Sequence, residues 1–174
     1  PKPEDLYSYG TLAQVLKVFD MPDNSKSAIV QGISRVKIME YLSHDPYFSA
    51  AVASMEDKPI DDSLEVEALA NNLRQSFEDL MKVAPNLTEE HSGMLKNIQK
   101  PNRLTDRAIS VITISNQEKQ EILEELDIKT RIEKALNLIS REIQRIKLGE
   151  EIQSEVHDEI CLLYTSDAAD DIPG

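Results

Sequence analysis

One long apolar stripe governs what this chain can fold into. Ile128, Ile132, Ala135, Ile139, Ile143 and Ile146 recur at helical spacing, and the stripe continues through Ile152, Val156 and Ile160. About 33 helical residues extend about 50 Å at 1.5 Å per residue. No compact bundle of a 174-residue chain covers such a rod. Its far end is expected to project and to meet other parts of a larger protein. Gly149 within the stripe costs about 1 kcal/mol relative to alanine. It either permits a close helix contact or a bend, or is a tolerated weak point.

Residues 61–126 carry the same period in shorter pieces and read as a helical bundle. Val66, Leu69, Leu73, Phe77, Leu80 and Ala84 share one face. Asp62 with Glu65 is a capping-box pattern, and Pro85-Asn86 ends the run. A short helix begins at Thr88, another at Pro101-Asn102, and Ser115 with Glu118 is a second capping box.

Residues 1–60 read differently, as strands. A β-favourable run from Leu12 to Phe19 stops at Met21-Pro22-Asp23-Asn24, where proline fixes φ and asparagine tolerates positive φ. A second run passes from Ala28 to Tyr41, with Gly32 marking a bulge or bend. The third goes from Tyr47 to Met55. Three strands leave two open edges and a thin core, so further strands upstream are expected. The fold class is α+β: an incomplete antiparallel β module, a helical bundle, and one long projecting helix over residues 127–160.

Composition excludes several functions. A formal net charge of −13 is the opposite of a nucleic-acid footprint, which clusters Lys and Arg against phosphates. No apolar run approaches the roughly 20 residues of a membrane span. No signal peptide opens the chain, and its single cysteine, Cys161, forms no internal disulfide. A cytoplasmic location follows.

Chemistry is equally sparse. The 5 glycines are never clustered, so no loop is built to bring backbone N–H groups to a phosphate. His44, His91 and His157 lie in different elements without metal-ligand spacing and read as solvated or capping residues. Asp61-Asp62, Glu124-Glu125 and Glu150-Glu151 read as surface or cap carboxylates rather than an acid–base pair. No glycine-framed serine marks a nucleophile. No catalytic, cofactor-binding or metal-ligating residue is assigned.

Residues 161–174 stand apart. Cys161 to Asp170 coincide with the in-frame translation of the transposase-end adaptor of DNA sequencing libraries, so this tail is expected to be non-native.

Several segments in order resemble the N-terminal domain of Lon-type ATP-dependent serine proteases. Asp5 to Ala13 is similar to the family's "DLY-x-VGT-x-A" strand entry. Met21-Pro22-Asp23-Asn24 is similar to its "LPDG" turn, with Asn24 where glycine is usual. Val30 to Arg35 resembles "VEG-x-x-R", with Gln31 for the commoner glutamate. Pro46-Tyr47-Phe48-Ser49-Ala50 fits "PYF-x-A", and Glu118 to Leu123 resembles "EKQ-x-LL". Ile143 to Val156 resembles the start of the family's long central helix.

The resemblance implies a PUA-like β module completed by upstream strands. It also implies a parent that uses ATP and Mg, cleaves with a Ser-Lys dyad absent here, and assembles as a homo-oligomeric ring. This piece would then engage unfolded or degron-bearing proteins and neighbouring Lon subunits, with no cofactor of its own. Phe19, Tyr47 and Phe48 are the candidate contacts, although burial in the β core is the favoured reading of each. The alternative is a stand-alone interaction protein built on the same domain, without protease activity.

Overall fold

The computed structural model describes residues 2–169, with side chains to residue 163. A short 3-10 turn, Pro3–Asp5, precedes three strands: β1 (Tyr9–Asp20), β2 (Lys26–Ser43) and β3 (Ser49–Met55). They form one antiparallel sheet in the order β1-β2-β3.

The β1–β2 turn follows from its residues. Asn24 takes φ 62°, donates to the Met21 carbonyl at 3.0 Å, and Met21 N–H reaches the Ser25 carbonyl at 2.9 Å. The Asp23 carboxylate accepts from the Ser25 hydroxyl at 2.6 Å and the Ser25 amide at 3.0 Å, and these bonds hold its pKa below the ordinary value. Gly32 sits where expected, at a bulge. Leu12 pairs with Ser34 and Ala13 with Gly32, so Ile33 is the extra residue. A Cβ at Gly32 would lie 3.3 Å from Thr11 Cγ2, so the close strand contact favours glycine.

Five helices follow: α1 (Ser63–Val83), α2 (Glu89–Lys96), α3 (Pro101–Val111), α4 (Asn116–Glu124) and α5 (Ile128–Ala169). Asp62 caps α1 by accepting from the amides of Leu64 and Glu65, both at 3.0 Å. The reciprocal half of that box does not form, because the Glu65 carboxylate pairs with Lys129 at 2.8 Å instead. Ser115 and Glu118 make a complete box at α4, and His91 takes the N3 role behind Thr88 at α2.

α1 and α5 run side by side in the same direction. Glu65 meets Lys129 near their starts, and Leu80 and Ile146 share a groove further along. Val66, Ala70, Leu73, Phe77 and Leu80 of α1 interlock with Ile128, Ile132, Ala135 and Ile139 of α5. Leu104, Ala108 and Ile109 of α3 and Ile122 of α4 close the core. Beyond Ile146 the rod leaves the bundle: Leu148, Ile152, Val156 and Ile160 are each about half exposed. The helix does not break at Cys161, where the apolar pattern changes. Its backbone runs on to Ala169, since Leu162, Leu163, Ala168 and Ala169 favour helix and no glycine or proline intervenes. The last residues of the expected tail, 170–174, lie outside the described residues.

Candidate functional site

The sheet is unlike the bundle in what it leaves open. Arg35, Val36 and Lys37 are the β2 residues paired with both β1 and β3, so the rest of the β1–β2 hairpin projects as a two-stranded ribbon. Every residue from Thr11 to Ile33 is exposed. Cross-strand partners share a face. Lys17 and Phe19 therefore lie with Ile29 and Ser27 on one side, while Val15 and Val18 lie with Val30 and Ala28 on the other. Lys17 Nζ stands 4.9 Å from the Phe19 ring centroid, a cation–π contact. The Lys26–Asp20 ion pair at 3.0 Å closes the ribbon tip.

The structure separates the three candidate contacts and corrects the expectation that each is buried. Phe19 is 37% exposed and sits at the ribbon tip, opposite Ser27. Tyr47 is 72% exposed in the turn after β2. Some 16 residues of β2 lie between the two ends, about 50 Å at about 3.3 Å per residue. Phe48 alone is packed, edge-on against Tyr41 (centroids 6.0 Å apart) and His44 (5.6 Å). The three side chains therefore do not form one patch. The ribbon instead carries an exposed apolar cluster on each face, Phe19 with Ile29 on one and Val15, Val18 and Val30 on the other.

A second feature lies where the sheet meets the helices. Arg35 on β2 donates through Nη2 to Asp106 Oδ1 at 2.5 Å and through Nε to the Leu123 carbonyl at 3.0 Å. Arg131 on α5 is fully buried. It donates to Asp57 Oδ1 at 2.5 Å and to the Glu125 carbonyl at 2.7 Å. Each arginine also lies near the other's aspartate, at 3.6 and 3.7 Å. Asn102 donates to the second Asp57 oxygen at 2.8 Å.

Burial alone would push the Asp57 carboxyl up. The hydrogen bonds from Arg131 and Asn102 and the charges of both arginines outweigh it and hold the group below its ordinary range. For Asp106 burial wins over the two guanidiniums and pushes the carboxyl up. A cleft of about 790 Å³ opens beside this network, between the sheet and helices α3 and α4. Sequence reading gave none of the four a site role because each looks like an ordinary surface charge. The available signals are that Arg35 ends the "VEG-x-x-R" segment and that Arg131 falls among the apolar positions of the α5 stripe.

Among the described residues, no group of three or more His, Cys, Asp or Glu could hold a metal, and Gly10, Gly32, Gly93 and Gly149 lie in separate elements. No described helix is long and apolar enough to cross a membrane.

Comparison with known proteins agrees with this architecture. The family model described as the ATP-dependent protease La (LON) substrate-binding domain matches residues 1–141. The Lon protease of Dictyoglomus thermophilum is 35% identical over 160 residues, 92% of this chain and 20% of that protein. The Lon protease of Koribacter versatilis is 37% identical over 161 residues, again 92% of this chain and 20% of the relative. The chain thus spans about a fifth of the length of the curated relatives it matches. Among solved structures, the N-terminal domain of Mycobacterium avium complex Lon protease superposes with a TM-score of 0.67 at 22% identity, covering 80% of this chain and 74% of that one. A Lon N-terminal domain protein from Xanthomonas campestris gives 0.53 at 17% identity. The matched residues correspond to the substrate-binding part of those relatives and not to their protease part. The chain belongs to the Lon substrate-binding domain family.

Proposed function

We propose that this domain recruits unfolded or degron-bearing polypeptides to an ATP-dependent Lon protease, and that the exposed β1–β2 ribbon makes the contact. The observation that carries this reading is the unbroken exposure from Thr11 to Ile33 across both faces of the ribbon. Large apolar side chains gathered on so small an exposed element are what an unfolded chain, rich in exposed apolar groups, would meet. Phe19 is the leading contact residue. Tyr47, at the opposite end of β2, forms a separate minor patch, and Phe48 supports Tyr41 and His44 rather than touching a ligand. The domain works in the cytoplasm as part of a homo-oligomeric ring. ATP and Mg bind elsewhere in the parent protein, and so does the Ser-Lys dyad.

Anisotropy titration of fluorescein-labelled, reduced and carboxymethylated α-lactalbumin tests the reading. Saturable binding that weakens in Phe19→Ser supports it; no saturable binding refutes it. A second reading rests on the 74% coverage of the Mycobacterium domain. In it, residues of the whole domain without a counterpart here seat against the ribbon. A version of this chain extended by the parent's preceding residues distinguishes the two: lost binding with a protected ribbon favours the second.

A further inference from the structure

The chain crosses from the sheet to the bundle once, through residues 56–62, and the bundle's apolar core contains no residue of the sheet. Val36 is the one buried side chain of the described sheet, and it is not part of that core. The seam lies outside that core, so the directional polar contacts that cross it carry much of its geometry. Gln120 reaches the Tyr9 carbonyl at 3.0 Å, and Arg35 reaches Asp106, Asp57 and the Leu123 carbonyl.

The ownership of those groups is asymmetric. Asp57 lies just past β3, but Arg131 and Asn102 hold it, and the next residue, Lys58, donates its amide to the Leu126 carbonyl at 2.9 Å. From Asp57 onward the crossing segment is therefore tied to the helices. Arg35 is the sheet's only contribution to the four-charge network. Exposed Glu56 is the last residue between β3 and the anchored segment. A guanidinium shared between two carboxylates and a carbonyl fixes direction as well as distance, which apolar contacts do not.

We propose that Arg35 is the pin of an electrostatic latch that sets the angle between the β ribbon and α5, with Glu56 as the turning point when the pin is withdrawn. The latch sits beside the 790 Å³ cleft, so the angle also sets how far that cleft opens. Withdrawing the pin leaves Arg131 on Asp57 and the Glu125 carbonyl. Asp106 loses its closest cation, but its side chain is 39% exposed and so open to water, which leaves the helices folded. This inference does not depend on what the ribbon binds.

Spin labels test it on the full chain. Cysteines replace exposed Ser27 on the ribbon and Asn72 on α1 in a Cys161→Ser background, and double electron–electron resonance reads the distance distribution. One narrow population is expected with Arg35 present. In Arg35→Met a broad set is expected, while helical circular dichroism and hydrogen-exchange protection of α1 and α5 stay unchanged. Arg35→Lys, which keeps the charge but not the fork, should lie between them. The proposal is overturned if the distribution stays narrow in Arg35→Met, if it is already broad with Arg35 present, or if broadening comes only with loss of helical signal.

Discussion

Replacing Arg131 with methionine removes a fully buried guanidinium and leaves its partners in place. Asp57 keeps Asn102 at 2.8 Å and Arg35 at 3.6 Å but loses its closest cation, at 2.5 Å. The Glu125 carbonyl loses a donor at 2.7 Å. Removing one partner of a buried ion pair costs about 3–5 kcal/mol where the other charge is left uncompensated, and the cost at Asp57, which keeps Arg35 and Asn102, should fall toward the lower end of that range. Domains of this kind are stable by only about 5–15 kcal/mol in total. Arg131→Met should therefore move the urea midpoint of the helical signal sharply down, with an m-value close to that of the parent.

The same reasoning sets a second expectation. Replacing the whole network together (Arg35→Met, Asp57→Leu, Asp106→Leu, Arg131→Met) leaves no orphan charge, so it should recover at least half of the lost stability. An Arg131→Met cost below about 1 kcal/mol would refute the reasoning, since that is the range of an exposed pair. So would a quadruple variant less stable than the single one, because orphaned charge would then not be the source of the loss.

Other predictions follow from single sites. Leu73→Ala, at a fully buried position, should cost about 2–5 kcal/mol in urea unfolding, whereas Ile152→Ala on the projecting rod should stay within about 0.5 kcal/mol. Hydrogen bonds from Ser115, joined by Arg141, lower the Glu118 pKa below its ordinary value. Its contribution is thus fully present above the unfolded value and is lost as pH falls through the lower folded one. Glu118→Gln should flatten that part of the acid limb of a stability–pH curve, and an unchanged limb would count against the cap. Asp106 has the opposite sign: its raised folded pKa adds stability as pH falls through it, so Asp106→Asn should steepen the loss between the raised and ordinary values.

Much of the fold was legible because local rules decide it. Pro22 and Asn24 specify the hairpin turn, Gly32 the bulge, and Asp62 and Ser115 the helix starts, each through backbone geometry or amides within a few residues. The α1 and α5 stripes were readable because each helix turns one face to the shared core, chiefly against the other. The latch was not legible, since Arg35 finds Asp106 across 71 residues and Arg131 finds Asp57 across 74. Charge pairing at that separation leaves no periodic trace. The exposure of Phe19 and Tyr47 was misread for a related reason. β-favourable runs with large apolar residues look half-buried, but here no second layer covers the ribbon among the described residues.

The central claim is that the ribbon presents an apolar surface to unfolded polypeptide, and a paired titration tests it most directly. Labelled, carboxymethylated α-lactalbumin is titrated with the parent chain and with the Phe19→Ser, Ile29→Ser double variant, which removes two exposed apolar side chains from one ribbon face. The account predicts saturable binding by the parent and at least a tenfold weaker affinity for the variant, a difference of about 1.4 kcal/mol, with unchanged urea midpoints. Equal affinities with both proteins folded would contradict it.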